Sequence, residues 1–181
     1  MKLIIVTGMP GAGKEEFLNV AVSMGIPFIR MGDVVRASYE IRDQQDKGMS
    51  VGEYAESERK RYGYDIWAKR SLEKMSGTVF LVDGCRSNDE VDAFRSLTDD
   101  ATVAAVHSSP RSRYERLVKR KRDDAPSSFA EFKERDEREI SWGLAKLIAL
   151  ADVMIPNDSS LDDLRKVSAD ALERMMRCGT P

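Results

Sequence analysis

One short stretch constrains this chain more than any other: Gly8-Met9-Pro10-Gly11-Ala12-Gly13-Lys14. It fits G-x-x-x-x-G-K, follows the apolar run Leu3-Ile4-Ile5-Val6 almost directly, and precedes a helical pattern from Glu15 through Val22. Strand, glycine loop and helix in that order form the context in which the spacing carries meaning. Glycines let backbone N–H groups curl around phosphate oxygens, the helix N-terminus adds a favourable dipole, and Lys14 is placed to reach the β- and γ-phosphates of a nucleotide. The stretch predicts a Walker A loop that holds ATP.

The position after the lysine departs from the usual pattern. Glu15 stands where serine or threonine would offer a hydroxyl to Mg²⁺. A carboxylate there opposes the charge of the phosphates, so it is expected to lower Mg²⁺-nucleotide affinity relative to serine, with exposure letting it swing toward solvent. The alternative is that Glu15 ligates the metal directly, as a hard oxygen ligand. A second carboxylate, Asp83, ends the buried-strand run Val79-Phe80-Leu81-Val82. It reads either as a Walker B residue holding Mg²⁺ through water or as the turn former that opens the Asp83-Gly84 bend.

Further short β-branched runs lie at Pro27-Ile29, Thr102-Val106 and Val153-Ile155, with helical patterns between them. That alternation predicts an α/β fold with a parallel five-stranded sheet covered by helices on both faces. Ile140, Leu144, Leu147, Ile148 and Ala151 recur with a helical period and predict one helix whose polar N-terminal half protrudes. Ser160 with Asp163 predicts the capped start of a last helix that turns Leu161, Leu164, Val167 and Leu172 toward the sheet. Two charged stretches, Arg36 to Met75 and Lys119 to Glu134, interrupt the alternation. They read as insertions at the sheet edge, either solvated surface or covers that close over the site, since phosphoryl transfer requires water exclusion.

Length and charge narrow the classes. The chain has 181 residues, near the soft prior for one domain, and a formal net charge of −2. That balance lacks the basic bias of a nucleic-acid-binding domain. Two cysteines far apart, Cys85 and Cys178, indicate neither a disulfide framework nor a zinc site, and point to a reduced, cytoplasmic setting. No apolar run reaches membrane-spanning length.

The remaining motifs resemble the small-molecule kinases related to adenylate kinase, along nearly the whole chain. Met31-Gly32-Asp33-Val34-Val35-Arg36 looks like the Thr-Gly-Asp-x-x-Arg segment at their monophosphate site. Asp83-Gly84-Cys85-Arg86 resembles their Asp-Gly-Phe-Pro-Arg, without the proline and with the arginine one position closer. The resemblance implies a three-layer P-loop kinase fold, MgATP as donor, and an acceptor site built from Gly32, Asp33, Arg36, Asp83, Gly84 and Arg86. Within it the two arginines grip the acceptor phosphate.

Ala151-Asp152-Val153-Met154-Ile155-Pro156-Asn157-Asp158 resembles a segment near the end of dephospho-coenzyme A kinases, which makes Asn157 and Asp158 adenine-side candidates beside their reading as turn and helix cap. The combination of Gly-Met-Pro-Gly-x-Gly-Lys, Gly-Asp-Val-Val-Arg, Asp-Gly-x-Arg-Ser and Ala-Val-His-Ser looks most like a mainly archaeal, adenylate-kinase-related group of mostly unassigned reaction. The chain is too short for a typical AAA+ module with its lid domain, and it has no Asn-Lys-x-Asp of a guanine site.

Arg113, Arg116 and Arg120 fall on one arc of a helix that begins at Pro110. An arginine row before the second insertion matches the lid arginines of nucleotide kinases, which marks Arg116 and Arg120, with Lys14, as catalytic candidates; a solvated basic face is the other reading. Lys119-Arg120-Lys121-Arg122 points around the helix rather than along a face, so nucleic acid is not the expected partner. Arg135 and Arg138, set among acids, read as ion-paired surface. His107, Trp67 and Trp142 read as packing or loop residues. Three functions stand against one another: transfer of a phosphoryl group to AMP, transfer to dephospho-coenzyme A, and a non-catalytic regulator that senses adenine nucleotide.

Overall fold

The computed structural model describes residues 1–75, 77–120 and 125–177. Cys178 and the centre of the second insertion, 121–124, lie outside the described residues. The strands are β1 (Lys2–Thr7), β2 (Phe28–Arg30), β3 (Val79–Asp83), β4 (Ala101–His107) and β5 (Val153–Pro156), all parallel, in the order β2-β3-β1-β4-β5. This is the expected parallel five-stranded sheet. A strand buried on both faces reads as an unbroken apolar run, and β1 shows why. Leu3 and Ile5 enter the core on one face while Ile4 and Val6 enter the core on the other.

The helices are α1 (Lys14–Ser23), α2 (Met31–Glu40), α3 (Val51–Tyr62), α4 (Ile66–Leu72), α5 (Asn88–Arg95), α6 (Pro110–Lys119), α7 (Phe129–Ser141), α8 (Leu144–Ala149) and α9 (Leu161–Arg177). Phe17 and Leu18 of α1 and Leu164 and Leu172 of α9 pack on the Ile4 face. The first insertion supplies α3, α4 and the second half of α2, and it is more than a cover. Tyr54, Trp67 and Ala68 are buried in the Leu3 face together with Phe94 and Leu144, and Trp67 is fully buried with its indole N–H donating to the Ala55 carbonyl at 3.1 Å.

The single helix expected through Ile140 and Ala151 is two. Gly143 adopts φ 104° at the start of α8, a left-handed conformation that glycine takes without the penalty a Cβ brings. The chain turns there beside Arg86 and Ser87. Ile140 is consequently exposed, while Leu144 and Leu147 stay buried. The capped start of α9 is as expected: the Ser160 hydroxyl and the Asp163 carboxylate exchange bonds with each other's backbone N–H at 3.1 and 3.3 Å. Leu161, expected against the sheet, is instead exposed. No helix among the described residues is long and apolar enough to cross a membrane.

Candidate nucleotide and phosphoryl-transfer site

The glycine loop joins β1 to α1 at the carboxyl edge of the sheet, where helix N-termini and loop N–H groups converge. Two glycines there are sterically required. A Cβ on Gly8, at φ 144°, would lie 2.3 Å from the Val106 carbonyl oxygen, and one on Gly13, at φ 112°, would lie 2.3 Å from Nδ2 of Asn157. Gly13 caps α1 with no side chain over its first N–H groups, so these point into an open cleft of about 650 Å³. Lys14 folds back across the loop, its ammonium donating to the carbonyls of Gly8 at 2.6 Å and Met9 at 3.4 Å. Burial lowers the pKa of that ammonium below its usual value, while the charges of Asp83 and Glu139 oppose the shift.

Asp83 ends β3 beside Val6 of β1, and its Oδ1 is buried with no hydrogen-bond partner. Burial pushes its carboxyl pKa up, while the cations Lys14, Arg30 and Arg86 pull it down. An unsatisfied buried oxygen costs about 1–3 kcal/mol, and a hard oxygen at a phosphate loop suits Mg²⁺ or its bound water. The described residues contain no cluster of three or more His, Cys, Asp and Glu side chains arranged for a metal. A cation here would therefore draw most of its ligands from phosphates and water, as Mg²⁺ does.

Glu15 does not swing to solvent. Its Oε1 accepts from Arg30 Nη2 at 2.6 Å, with the two side chains 45% and 32% exposed respectively. A pair this accessible is worth no more than about 1 kcal/mol. Arg30 is the last residue of β2 and leads directly into Met31-Gly32-Asp33, so the phosphate loop and the expected acceptor segment are tied by one ion pair.

On the acceptor side, Gly84 turns at φ 102° with its Cα facing the start of α2, near Met31 and Gly32. Arg36 is exposed and paired with Asp33 one turn away. Arg86 is bound at both ends. Its backbone N–H donates to Glu90 Oε2 at 2.6 Å and its Nε to Glu139 Oε2 at 2.7 Å. Glu90, fully buried, also accepts from Arg59 at 3.1 Å. The guanidinium groups of Arg59 and Arg86 lie 5.5 and 5.6 Å from the centre of the Trp142 ring.

On the other flank, the arginine row divides. Arg113 turns inward, its guanidinium holding both oxygens of Asp136 at 2.8 and 2.6 Å and the Pro10 carbonyl at 3.1 Å. It braces α7 and the phosphate loop. Arg116 lines the cleft while donating to Ser108 Oγ at 2.9 Å and the Asn157 carbonyl at 2.7 Å. Arg120, exposed at the end of α6, lines the same cleft. Asn157 is 5% exposed, and its amide donates to the Ala12 carbonyl at 2.7 Å, so it fixes the back of the phosphate loop. Asp158 accepts from Ser108 Oγ and the Ser109 N–H, which lowers its pKa. These bonds fit the reading of the two residues as a turn, and Asn157 also lines the cleft, together with Ser159 and Leu161. Asn157→Ala is expected to cost about 1–3 kcal/mol, because the Ala12 carbonyl loses its donor inside the fold; chemical unfolding measures the loss, and a change below the error of the method contradicts the assignment.

A glycine loop, the Asp83 carboxylate with one buried, unpartnered oxygen and arginines on both flanks make a site that can be set beside known proteins. A UPF0200 protein of Thermoplasma volcanium is 45% identical over 161 residues, covering 88% of this chain and 90% of the relative. One from Methanopyrus kandleri is 40% identical over 183 residues, covering 97% and 91%. The chain belongs to the UPF0200 family. A family model described as an AAA domain also matches residues 4–140 of this UPF0200 protein. Its fold is that of the P-loop kinases: a shikimate kinase from Bacteroides thetaiotaomicron superposes with a TM-score of 0.67, 15% identity, and coverage of 98% of this chain and 99% of that one. A gluconokinase from Sinorhizobium meliloti gives 0.62 at 16% identity, covering 97% and 94%.

Three site residues of this UPF0200 chain escape a reading of the sequence. Arg135, set among acids and read as ion-paired surface, lines the cleft beside the glycine loop, and its charge acts on Lys14. Glu139 sits in the same acidic run, and nothing local singles it out. Arg30 carries the one available signal, a charge at the end of a short apolar strand directly before Gly-Asp. His107 is exposed at the end of β4, and its carbonyl accepts from the Asn157 N–H at 2.7 Å.

Proposed function

We propose that this UPF0200 protein is a phosphotransferase that binds MgATP on the Gly8–Lys14 loop and passes the γ-phosphate to a small, anionic, nucleotide-like acceptor, with AMP the first candidate. The observation that carries the reading is the buried, unpartnered Asp83 Oδ1 beside Lys14 at the open end of a phosphate loop. Bound Mg²⁺, held through water by Asp83, would supply charge neutralisation between the β- and γ-phosphates. Lys14 follows charge onto the γ-phosphate. Arg116, Arg120 and Arg135 face the same cleft and balance the transferring group. Arg36 and Arg86 receive the acceptor's phosphate, the latter by exchanging Glu139 for it. Positioning and charge carry such chemistry, so no nucleophilic side chain is needed.

Mass spectrometry of products after incubation with MgATP and a panel of nucleoside monophosphates and dephospho-coenzyme A tests the reading. One phosphorylated acceptor is expected. MgATP binding with no product from any acceptor would leave a nucleotide-sensing regulator instead. Arg36→Ala should weaken the acceptor about tenfold or more while leaving ATP affinity within twofold, since a charge-assisted arginine–phosphate contact is lost on one side only. Calorimetry with each ligand alone measures both, and equal losses would place Arg36 outside the acceptor site.

A further inference from the structure

Glu15 occupies the position beside the catalytic lysine from which a metal-directed oxygen would come, and it is not idle there. Arg30 holds it from the end of β2 at 2.6 Å, both side chains remain partly exposed, and Glu15 lines the cleft. The charges of Glu15 and Arg30 both act on Asp83, with opposite sign. Three consequences follow. The bare repulsion between Glu15 and phosphate is largely cancelled while Arg30 is in place. The pair is accessible, and therefore weak and exchangeable. A divalent cation arriving with a nucleotide would find one buried unpartnered oxygen on Asp83 and a second carboxylate held only by an exchangeable arginine.

We infer that Arg30 is the stand-in for the metal: it holds Glu15 while no cation is present and yields it as an oxygen ligand when a divalent cation arrives with the nucleotide. The inference rests on the nucleotide site proposed above and adds a role for two residues within it. It favours direct ligation by Glu15 over simple repulsion, because the repulsive charge is already paired. It also makes the response to Mg²⁺, rather than nucleotide affinity as such, the property that Arg30 controls.

Calorimetric titration of the whole protein with ADP, once in EDTA and once in excess Mg²⁺, gives an enhancement ratio, metal-free Kd over Mg²⁺ Kd. Arg30→Met should raise that ratio about tenfold, because bare Glu15 repels metal-free ADP and is free to take the metal. Arg30→Lys, which keeps the charge, should stay within about twofold of wild type and shows that the site is intact. Glu15→Gln should lower the ratio below wild type, and adding Arg30→Met to Glu15→Gln should leave it there. A merely structural clip between β2 and α1 moves both dissociation constants together in Arg30→Met, and that result overturns the proposal. So does an unchanged ratio in Glu15→Gln. Wild-type protein that binds ADP in neither condition removes the nucleotide reading itself, an outcome distinct from either.

Discussion

Lys14→Ala is expected to reduce phosphoryl transfer by about 10²–10³-fold, the range seen when one preorganised charge-stabilising group is removed from a reaction site. ATP affinity should fall by about tenfold or more, since the lost contact is charge-assisted. The substitution leaves the loop's own geometry in place. Gly8, Gly11 and Gly13 keep their positive φ angles, Asn157 still braces Ala12 from behind, and the two bonds lost go to the Gly8 and Met9 carbonyls at an open cleft. The melting temperature should therefore stay close to wild type while binding and turnover collapse. Steady-state transfer assays with ATP titrations, read beside a thermal melt, separate the two effects. Retained affinity and turnover in a folded Lys14→Ala protein would remove the phosphate loop from the mechanism.

Glu90→Ala should have the largest effect on stability of any single change at the site. Its carboxylate is fully buried and serves two donors from distant parts of the chain, the Arg59 guanidinium and the Arg86 N–H. Truncation leaves the Arg59 charge inside the protein, where its side chain is 5% exposed, with no anion to meet it. Breaking one side of a buried pair costs about 3–5 kcal/mol, a large part of the roughly 5–15 kcal/mol that a domain has in total. At about 2–4 °C per kcal/mol in a chain of this size, the melting temperature falls by about 6–20 °C. Replacing both partners, Arg59→Met with Glu90→Leu, should recover much of the loss, because neither charge is then stranded. A single Glu90→Ala variant within 1 kcal/mol of wild type in urea unfolding would show that the pair is solvated and not part of the core.

The parts legible in the sequence are those whose signal is local. β1 and β3 announce themselves as unbroken apolar runs because both faces are covered. The phosphate loop is contiguous, so spacing alone gives its shape. The start of α9 is written in Ser160 and Asp163. The break at Gly143 was not legible: a lone glycine inside a helical pattern is tolerated at about 1 kcal/mol, and only its packing against the Arg86–Ser87 backbone shows why the chain turns there. The finer architecture of the site depends on which strand ends meet in space. Glu15 meets Arg30 because β2 is an edge strand two places from β1. Arg86 meets Glu139 across 53 residues of sequence, and Asn157 meets Ala12 across 145. No periodicity or motif encodes such distances. The same reason explains why the bond from Asn157 to the back of the loop could not be read from its segment, which marks it only as an adenine-side candidate, although it does line the cleft.

Phosphorus-31 NMR of MgATP mixed with the protein and a pool of nucleoside monophosphates and dephospho-coenzyme A tests phosphoryl transfer directly. The γ resonance is expected to decay only when the acceptor pool is present, with a new phosphate resonance of the product growing in step and inorganic phosphate staying low. Unchanged α, β and γ intensities with every acceptor, or conversion of the γ-phosphate to inorganic phosphate alone, would contradict the account.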